Sequence, residues 1–259
     1  MSSALIDVSR AHGVATITIN NPERLNSVNG PMLHAMAEAV EQRHPEDRVI
    51  VLRGAGRGFC SGADLDLSSW DEAAGTDTLE GGNRFVSALV SSPLPSVAAV
   101  HGPCAGLGMS LALAADMTIA AESAFFQLAF TRIGLMPDAG ATALVAAAVG
   151  RARALRLALL AERIGARDAA DMGLIAEAVP DNDYEARVEA VVTQLQTGPA
   201  AAWAETKHAV NAAALPPLDD AFDREGRGQM RLLHSRDFVE GVTAFAEKRA
   251  PQFTDAPPQ

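Results

Sequence analysis

Twice in this sequence a short run of apolar residues enters a glycine-rich turn that leads into small or helix-forming residues. That repetition constrains the fold more than any other feature. The first run is Val49-Ile50-Val51-Leu52, followed by Arg53-Gly54-Ala55-Gly56-Arg57-Gly58-Phe59-Cys60-Ser61-Gly62-Ala63-Asp64-Leu65. The second is Ser96-Val97-Ala98-Ala99-Val100, followed by a turn from Gly102 to Gly108 and the apolar stretch Met109 to Ala115. Short continuous apolar runs bounded by glycine read as buried strands, and the stretch after Gly108 reads as a buried helix. In a strand, tight loop, helix arrangement the first helical N–H groups lack intrahelical partners and sit at the positive end of the helix dipole, where they can donate to an anion. Two such loops can face each other.

The rest of the chain supports an α/β reading. Leu5 to Ser9 and Val14 to Ile19 read as a hairpin turning at Arg10-Ala11-His12-Gly13. Asn29 or Gly30 with Pro31 starts a helix that carries Met32, Leu33, Met36 and Val40 on one face. Leu67 to Gly82, polar and acidic with several glycines, reads as a mobile loop or lid before a helix from Asn83 to Ser91. Met117 to Ala121 and Ile175 to Val179 read as strands, Ala139 to Val149 and Ala152 to Ala161 as helices. From Tyr184 onward only helices are expected: Tyr184 to Gln196, Pro199 to Ala213, Leu218 to Leu233 and Arg236 to Lys248. Strands alternating with helices at this spacing imply a parallel sheet under helical cover, with residues 1–195 as the core domain and 196–259 as a C-terminal helical region.

Bulk properties exclude several classes. The chain has 259 residues and a formal charge of -11, with its Lys and Arg scattered, which argues against nucleic acid as a partner. The two cysteines, Cys60 and Cys104, fall inside the glycine loops without a second Cys or His at ligand spacing; they read as small fillers, and no metal site is expected. No signal-like N-terminus and no apolar segment of membrane-spanning length is evident, so a cytoplasmic protein without membrane contact is expected. His101, at a strand end, reads as a hydrogen-bonded structural residue; Asp64 and Asp66 read as caps or solvated acids, and Asp116 as the residue that fixes the turn after its helix. Asp138, in Pro137-Asp138-Ala139-Gly140, reads either as the N-cap of the following helix or as a functional acid.

The pattern G-x-x-F-x-x-G-x-D-L over Gly56 to Leu65, followed by the glycine turn with Gly102, Gly106 and Gly108, resembles the double signature of the crotonase, or enoyl-CoA hydratase/isomerase, superfamily. Asn21-Pro22-Glu23-Arg24-Leu25-Asn26-Ser27-Val28, Gly134-Leu135-Met136-Pro137-Asp138, Gly173-Leu174-Ile175 and the segment Glu240 to Arg249 fall in that family's order, so the resemblance covers nearly the whole chain. It implies a crotonase-like ββα spiral core with a C-terminal helical trimerisation region, an acyl-CoA thioester substrate, a homotrimer or hexamer, and no cofactor beyond the CoA of the substrate. By the same resemblance the N–H groups of Ser61 and Leu107 bind the thioester oxygen, with Gly62, Gly106 and Gly108 allowing close approach. Donors fixed in advance stabilise an enolate oxygen more than the neutral carbonyl.

At the two positions where hydratases of this kind carry glutamates the chain has Ser110 and Phe130. What remains is Asp138, at the place where Δ3,Δ2-enoyl-CoA isomerases and epoxyphenylacetyl-CoA isomerases carry their single acid/base. A related dehalogenase branch has a Trp at the position of Phe130. The resemblance also places Arg24, Leu25, Ala63 and Asp64 near the CoA adenine, and Lys248, with Phe245 one turn earlier, near a phosphate in a neighbouring subunit. It leaves three readings: an isomerase using Asp138, a hydratase of β-oxidation with rearranged acids, and a CoA-binding or RNA-binding relative without catalysis.

Overall fold

The structure is a computed structural model that describes residues 5–65 and 72–256. It opens on the expected hairpin: β1 (Ile6–Ala11) pairs antiparallel with β2 (Val14–Ile19), Ile6 opposite Ile19. His12 and Gly13 make the turn with φ of 53° and 81°. Two successive positive-φ residues give a turn whose twist matches that of the flanking strands.

From β2 onward the chain repeats one pattern. A strand of the main sheet is followed by a short pairing in a second layer and then by a helix. After β2 the second-layer position is Val28, followed by α1 (Gly30–Glu41), whose first turn is capped by the Asn29 side chain accepting from Met32 N at 3.2 Å. β3 (Val49–Gly54) leads to Cys60 and Ala63 and then to α2 (Glu72–Ser91). β4 (Ser96–Val100) leads to β5 (Pro103–Ala105) and α3 (Leu107–Leu113). β6 (Met117–Ala121) leads to β7 (Phe125–Gln127), a 3-10 turn over Ala129–Ile133, and α4 (Ala141–Leu160). β8 (Ile164–Gly165), α5 (Ala166–Asp171) and β9 (Glu177–Val179) follow, then α6 (Tyr184–Thr197), α7 (Ala200–Ala214), α8 (Leu218–Leu233) and α9 (Arg236–Ala246).

The main sheet has the order β1-β2-β3-β4-β6-β9, parallel throughout except for the β1 and β2 pair. Its central strands β3 and β4 are buried on both faces, as the apolar runs Val49–Leu52 and Val97–Val100 require. Ile17, Ile50, Leu52, Ala98, Val100 and Ala120 face the main core with α1 to α4. The alternate residues Val49, Val97, Ala99 and Ile119 pack against Tyr184, Val188, Val191 and Leu195 of α6. The second layer is built from the order β5-β7-β8 together with the single bridges Val28–Ala63 and Cys60–Cys104. These short strands were not legible as strands: two or three residues inside a glycine turn carry no periodicity.

Two expectations need correction and a third holds. α2 starts at Glu72, so the described part of the segment read as a mobile lid is helix; Leu67 to Asp71, and with them Asp66, lie outside the described residues. Its glycines serve close packing instead of breaking the helix: a Cβ at Gly81 would stand 2.9 Å from Leu33 Cβ of α1. The two helices read from Ala139 to Val149 and Ala152 to Ala161 are present: Gly150, at φ 78° and ψ 162°, separates them inside α4. α9 ends at Ala246, and Lys248 at φ 56° lies past its end, so Phe245 and Lys248 do not share a helical face.

α7 is tied to the core by a lysine. Lys207 Nζ donates to Leu89 O and Leu94 O at 2.9 and 3.0 Å and pairs with Asp116 at 3.0 Å. The same Asp116 oxygen accepts from Ser96 N and Oγ at 2.8 and 2.9 Å, so Asp116 fixes the entry of β4 as well as the turn after α3. Burial raises the Asp116 pKa and lowers that of Lys207, each opposed by the other's charge. Removing one partner of a buried pair strands the other. Asp116→Ala should therefore cost about 3–5 kcal/mol in urea unfolding, and Asp116→Leu with Lys207→Met should recover most of it.

Candidate active site

Asn26 joins the first two turns of the spiral. It is fully buried at φ 57°, its Nδ2 donates to Ala55 O and Gly58 O at 2.7 Å each, and its Oδ1 accepts from Asn21 N at 2.9 Å. With Asn26 satisfied in this way, Leu25 O accepts from Ser61 N at 3.0 Å. The Ser61 N–H is therefore engaged inside the protein and is not available to a ligand, contrary to the expectation from sequence. The backbone donor left open on this loop is that of Ala63. In the parallel bridge to Val28 the hydrogen bonds run from Val28 N to Gly62 O and from Asp64 N to Val28 O, at 2.9 and 2.8 Å. Ala63's own N–H consequently faces the other side of the strand, and among the described residues it has no partner.

The second loop approaches from the next turn of the spiral. Gly62 at φ 109° and Gly106 at φ 53° and ψ −130° adopt backbone conformations that side chains rarely allow, and they touch: a Cβ at Gly62 would lie 3.5 Å from Leu107 N. Gly106 N donates to Gln127 O at 2.8 Å, which anchors the turn, and Leu107 opens α3 with an N–H that likewise has no partner among the described residues. Gly108 does not line the cavity that these loops border. A Cβ there would fall 2.5 Å from Cys60 O, so it lets α3 sit on the first loop. Cys60 and Cys104 are fully buried, and burial pushes the Cys60 thiol up to about 12 and Cys104 well above its ordinary value, so neither offers a thiolate at neutral pH.

Asp138 faces the same space. It is not the cap of α4: Gly140 holds the cap position, and no side chain of the α4 segment caps the helix. That role falls to Glu225 of α8, which accepts from Gly140 N at 2.7 Å, from Thr142 N at 2.9 Å and from the Thr142 hydroxyl. Asp138 is held instead by Gln229, one turn further along α8, whose Nε2 donates to Oδ2 at 2.7 Å; Oδ1 is buried without a partner. Burial pushes the Asp138 pKa up to about 7; the Gln229 hydrogen bond opposes this and the Glu225 charge adds to it. Neither Glu225 nor Gln229 was found from sequence, although two polar residues on the buried stripe Ala221, Glu225, Gly228 and Gln229 are a visible anomaly.

A cavity of about 290 Å³ unites these groups. Gly62, Ala63, Gly106 and Leu107 form one side, Asp138 and Gln229 another, and Leu79, Phe130, Ile133, Leu135 and Leu233 supply apolar wall. Ser61 and the exposed Phe245 line it too, as do Arg132, Arg163 and Arg249, none of them foreseen. Arg24, Leu25, Asp64, Gly108, Ser110 and Lys248 are off its wall. Arg24 is ion-paired with Asp64 at 2.5 Å. Ser110, expected to face ligand, is fully buried and donates to Asp138 O at 2.9 Å, which makes it a strut for the acid.

Backbone donors from successive turns of a ββα spiral, converging on a cavity beside a buried acid, define the crotonase class of protein. Within it the chain belongs to the enoyl-CoA hydratase/isomerase family, whose model matches residues 9–256. The chain is 49% identical over 256 residues to a Rhodobacter capsulatus protein named Probable enoyl-CoA hydratase, covering 98% of this chain and 99% of that one. It is 41% identical over 249 residues to the 1,2-epoxyphenylacetyl-CoA isomerase of Escherichia coli K12, covering 93% and 95%. Among solved structures, an enoyl-CoA hydratase from Mycobacterium avium subsp. paratuberculosis superposes with a TM-score of 0.91 at 50% identity, over 97% of this chain and 99% of that one.

The raised Asp138 pKa has a consequence for stability. A carboxyl group that ionises at a higher pH in the folded than in the unfolded chain makes the folded state lose stability as pH rises from the ordinary carboxylate range to about 7. Asp138→Asn removes this loss. The variant should unfold at higher urea than wild type at pH 8, and the difference should shrink towards pH 4 and vanish below the ordinary Asp value of 3.8, where Asp138 is protonated in both states.

Proposed function

We propose that this protein is an isomerase of acyl-CoA thioesters, moving a carbon–carbon double bond along the acyl chain or rearranging the ring of an epoxyphenylacetyl-CoA, with Asp138 as its only acid/base. The observation that carries this reading is that Asp138 is the sole carboxylate among the described residues lining the cavity, with one oxygen free. Oδ1 takes a proton from C2, the charge passes to the thioester oxygen held by the N–H groups of Ala63 and Leu107, and the same carboxyl group returns the proton at C4. No water is consumed. A pKa of about 7 suits one group to act as base and then as acid.

A second reading, hydration of a 2-enoyl-CoA, draws on the names of the relatives with about half their residues identical to this chain. Against it stand Ser110 and Phe130: one is buried behind Asp138 and the other is apolar, so neither activates water. The proposal includes a homotrimer or dimer of trimers. In support, α7 carries no buried residue, and Leu159, Leu160 and Val210 are 65%, 62% and 57% exposed. Roles for Arg24, Leu25, Ala63 and Asp64 at the adenine, and for Lys248 at a phosphate of a neighbouring subunit, rest on the family resemblance, as do a cytoplasmic setting and the absence of a separate cofactor.

The test is a paired assay on a 3-enoyl-CoA and on crotonyl-CoA, with products separated by chromatography and identified by mass. Wild type should convert the 3-enoyl substrate to the conjugated 2-enoyl product, and Asp138→Asn should lose about 10²–10⁴-fold in kcat. Hydration of crotonyl-CoA that survives Asp138→Asn would establish the second reading. Leu107→Pro removes one oxyanion donor at the first position of α3, where a helix tolerates proline. It should lower kcat about 10²–10³-fold while the far-UV spectrum is kept.

A further inference from the structure

α8 presses its one buried stripe onto the segment that carries Asp138. Gly228 lies against Met136, where a Cβ would come within 2.2 Å of the Met136 sulfur. Gln229 Oε1 accepts from Met136 N at 3.2 Å while its Nε2 holds Asp138 Oδ2, so one side-chain amide grips the segment at two points. Glu225, one turn earlier and fully buried, takes the N-terminal donors of α4 at Gly140 and Thr142. A helix N-terminus attracts the nearest carboxylate. Asp138 stands directly before this one, and its backbone O already accepts from Ala141 N at 3.1 Å.

We infer that Gln229 and Glu225 are positioning residues for Asp138: Gln229 fixes the carboxyl group through Oδ2 so that Oδ1 alone is presented to substrate, and Glu225 occupies the helix terminus that would otherwise capture the acid. The inference rests on the reading of Asp138 as the acid/base. Gln229 contributes a hydrogen bond that favours the ionised carboxylate, whereas Glu225 contributes a like charge and denies Asp138 the helix donors. The two residues therefore pull the acid in opposite directions. The other groups around Asp138 do not compete with this pair. Ser110 of α3 is neutral, as are Gly75, Thr78 and Leu79 on the α2 wall; Arg224 acts on Glu225, and Arg132, Arg163 and Arg249 line the cavity.

The experiment is a pH titration of the Asp138 carboxyl carbon by NMR in protein labelled at aspartate, the resonance assigned by its absence from Asp138→Asn. Gln229→Met should move the midpoint up and Glu225→Gln should move it down. A merely structural role would lower stability in both variants and leave the midpoint in place. Shifts below ~0.3 unit in both variants, or shifts of the same sign, overturn the inference. If Glu225→Gln does not fold, Thr142→Val removes one of the donors that hold Glu225 ionised and should move the midpoint down as well. The titration does not depend on turnover. Midpoints that shift as expected in a protein whose isomerase activity survives Asp138→Asn would sink the proposed function and leave the positioning device standing.

Discussion

The contact of Gly62 with Gly106 is the constraint on which the site depends. Two backbone turns from successive windings of the spiral meet there, a Cβ at Gly106 standing 3.7 Å from Gly62 Cα and one at Gly62 standing 3.1 Å from Ala105 O. The second layer brings them together with very little pairing: single bridges at Val28–Ala63 and Cys60–Cys104, and three residues each from β5 and β7. A parallel bridge engages the neighbours of a residue and leaves its own N–H on the far side. The donor at Ala63 is thus a by-product of strand pairing with Val28, and the donor at Leu107 a by-product of starting a helix. Neither requires a dedicated side chain. Their relative placement is set by backbone packing, with Gly108 letting α3 sit on the first loop and the Asn26 amide holding that loop at Ala55 O and Gly58 O.

Charge is distributed around α4 on the same economical plan. Two acids lie within reach of its N-terminus, and Glu225 takes it with three hydrogen bonds. Asp138 is left with one partner on one oxygen, in a wall made of Phe130, Ile133 and Leu135. Leaving an ionised oxygen buried without a donor is costly, and the group responds by keeping its proton to about pH 7. In the proposed function, the stability given up at Asp138 is what lets one carboxyl group accept and return a proton near neutrality.

How much of this was legible in sequence follows from which signals are local. Strands with both faces buried, the hairpin and the long helices announce themselves through apolar runs, turn residues and helical spacing. The glycine loops were legible because Gly62 and Gly106 must hold positive φ. The exchange of Ser61 for Ala63 was not, since it depends on Leu25 O, a backbone group distant in sequence that takes the Ser61 N–H. The helix at Glu72 was hidden by glycines that serve packing against α1. Asp138 could be named but not separated from a helix cap. What separates the two is Glu225, which reaches α4 from 85 positions further along the chain. The shared helical face of Phe245 and Lys248 failed for a local reason, because α9 ends at Ala246 and Lys248 itself holds a φ of 56°.

Ser110 and Phe130 carry the last step. They stand where the hydratases of the resemblance place their two acids, and here both serve the third position. Ser110, with no exposed surface, bonds the backbone carbonyl of Asp138 at 2.9 Å, holding the acid from behind. Phe130 contributes apolar wall beside it, which raises the cost of ionising the acid and leaves an attacking water without a polar partner at that point. A hydratase needs a water held between two carboxylates. On the proposed reading, a buried strut at one of those positions and a hydrophobic wall at the other offer that water no carboxylate, while a proton moved from C2 to C4 by a single carboxyl group needs no water. In the proposed function the residues that stand in place of those acids are the ones that support Asp138, one from behind through its backbone carbonyl and one as apolar wall, so that losing the water-holding pair and supporting the single acid are one physical alteration of the cavity.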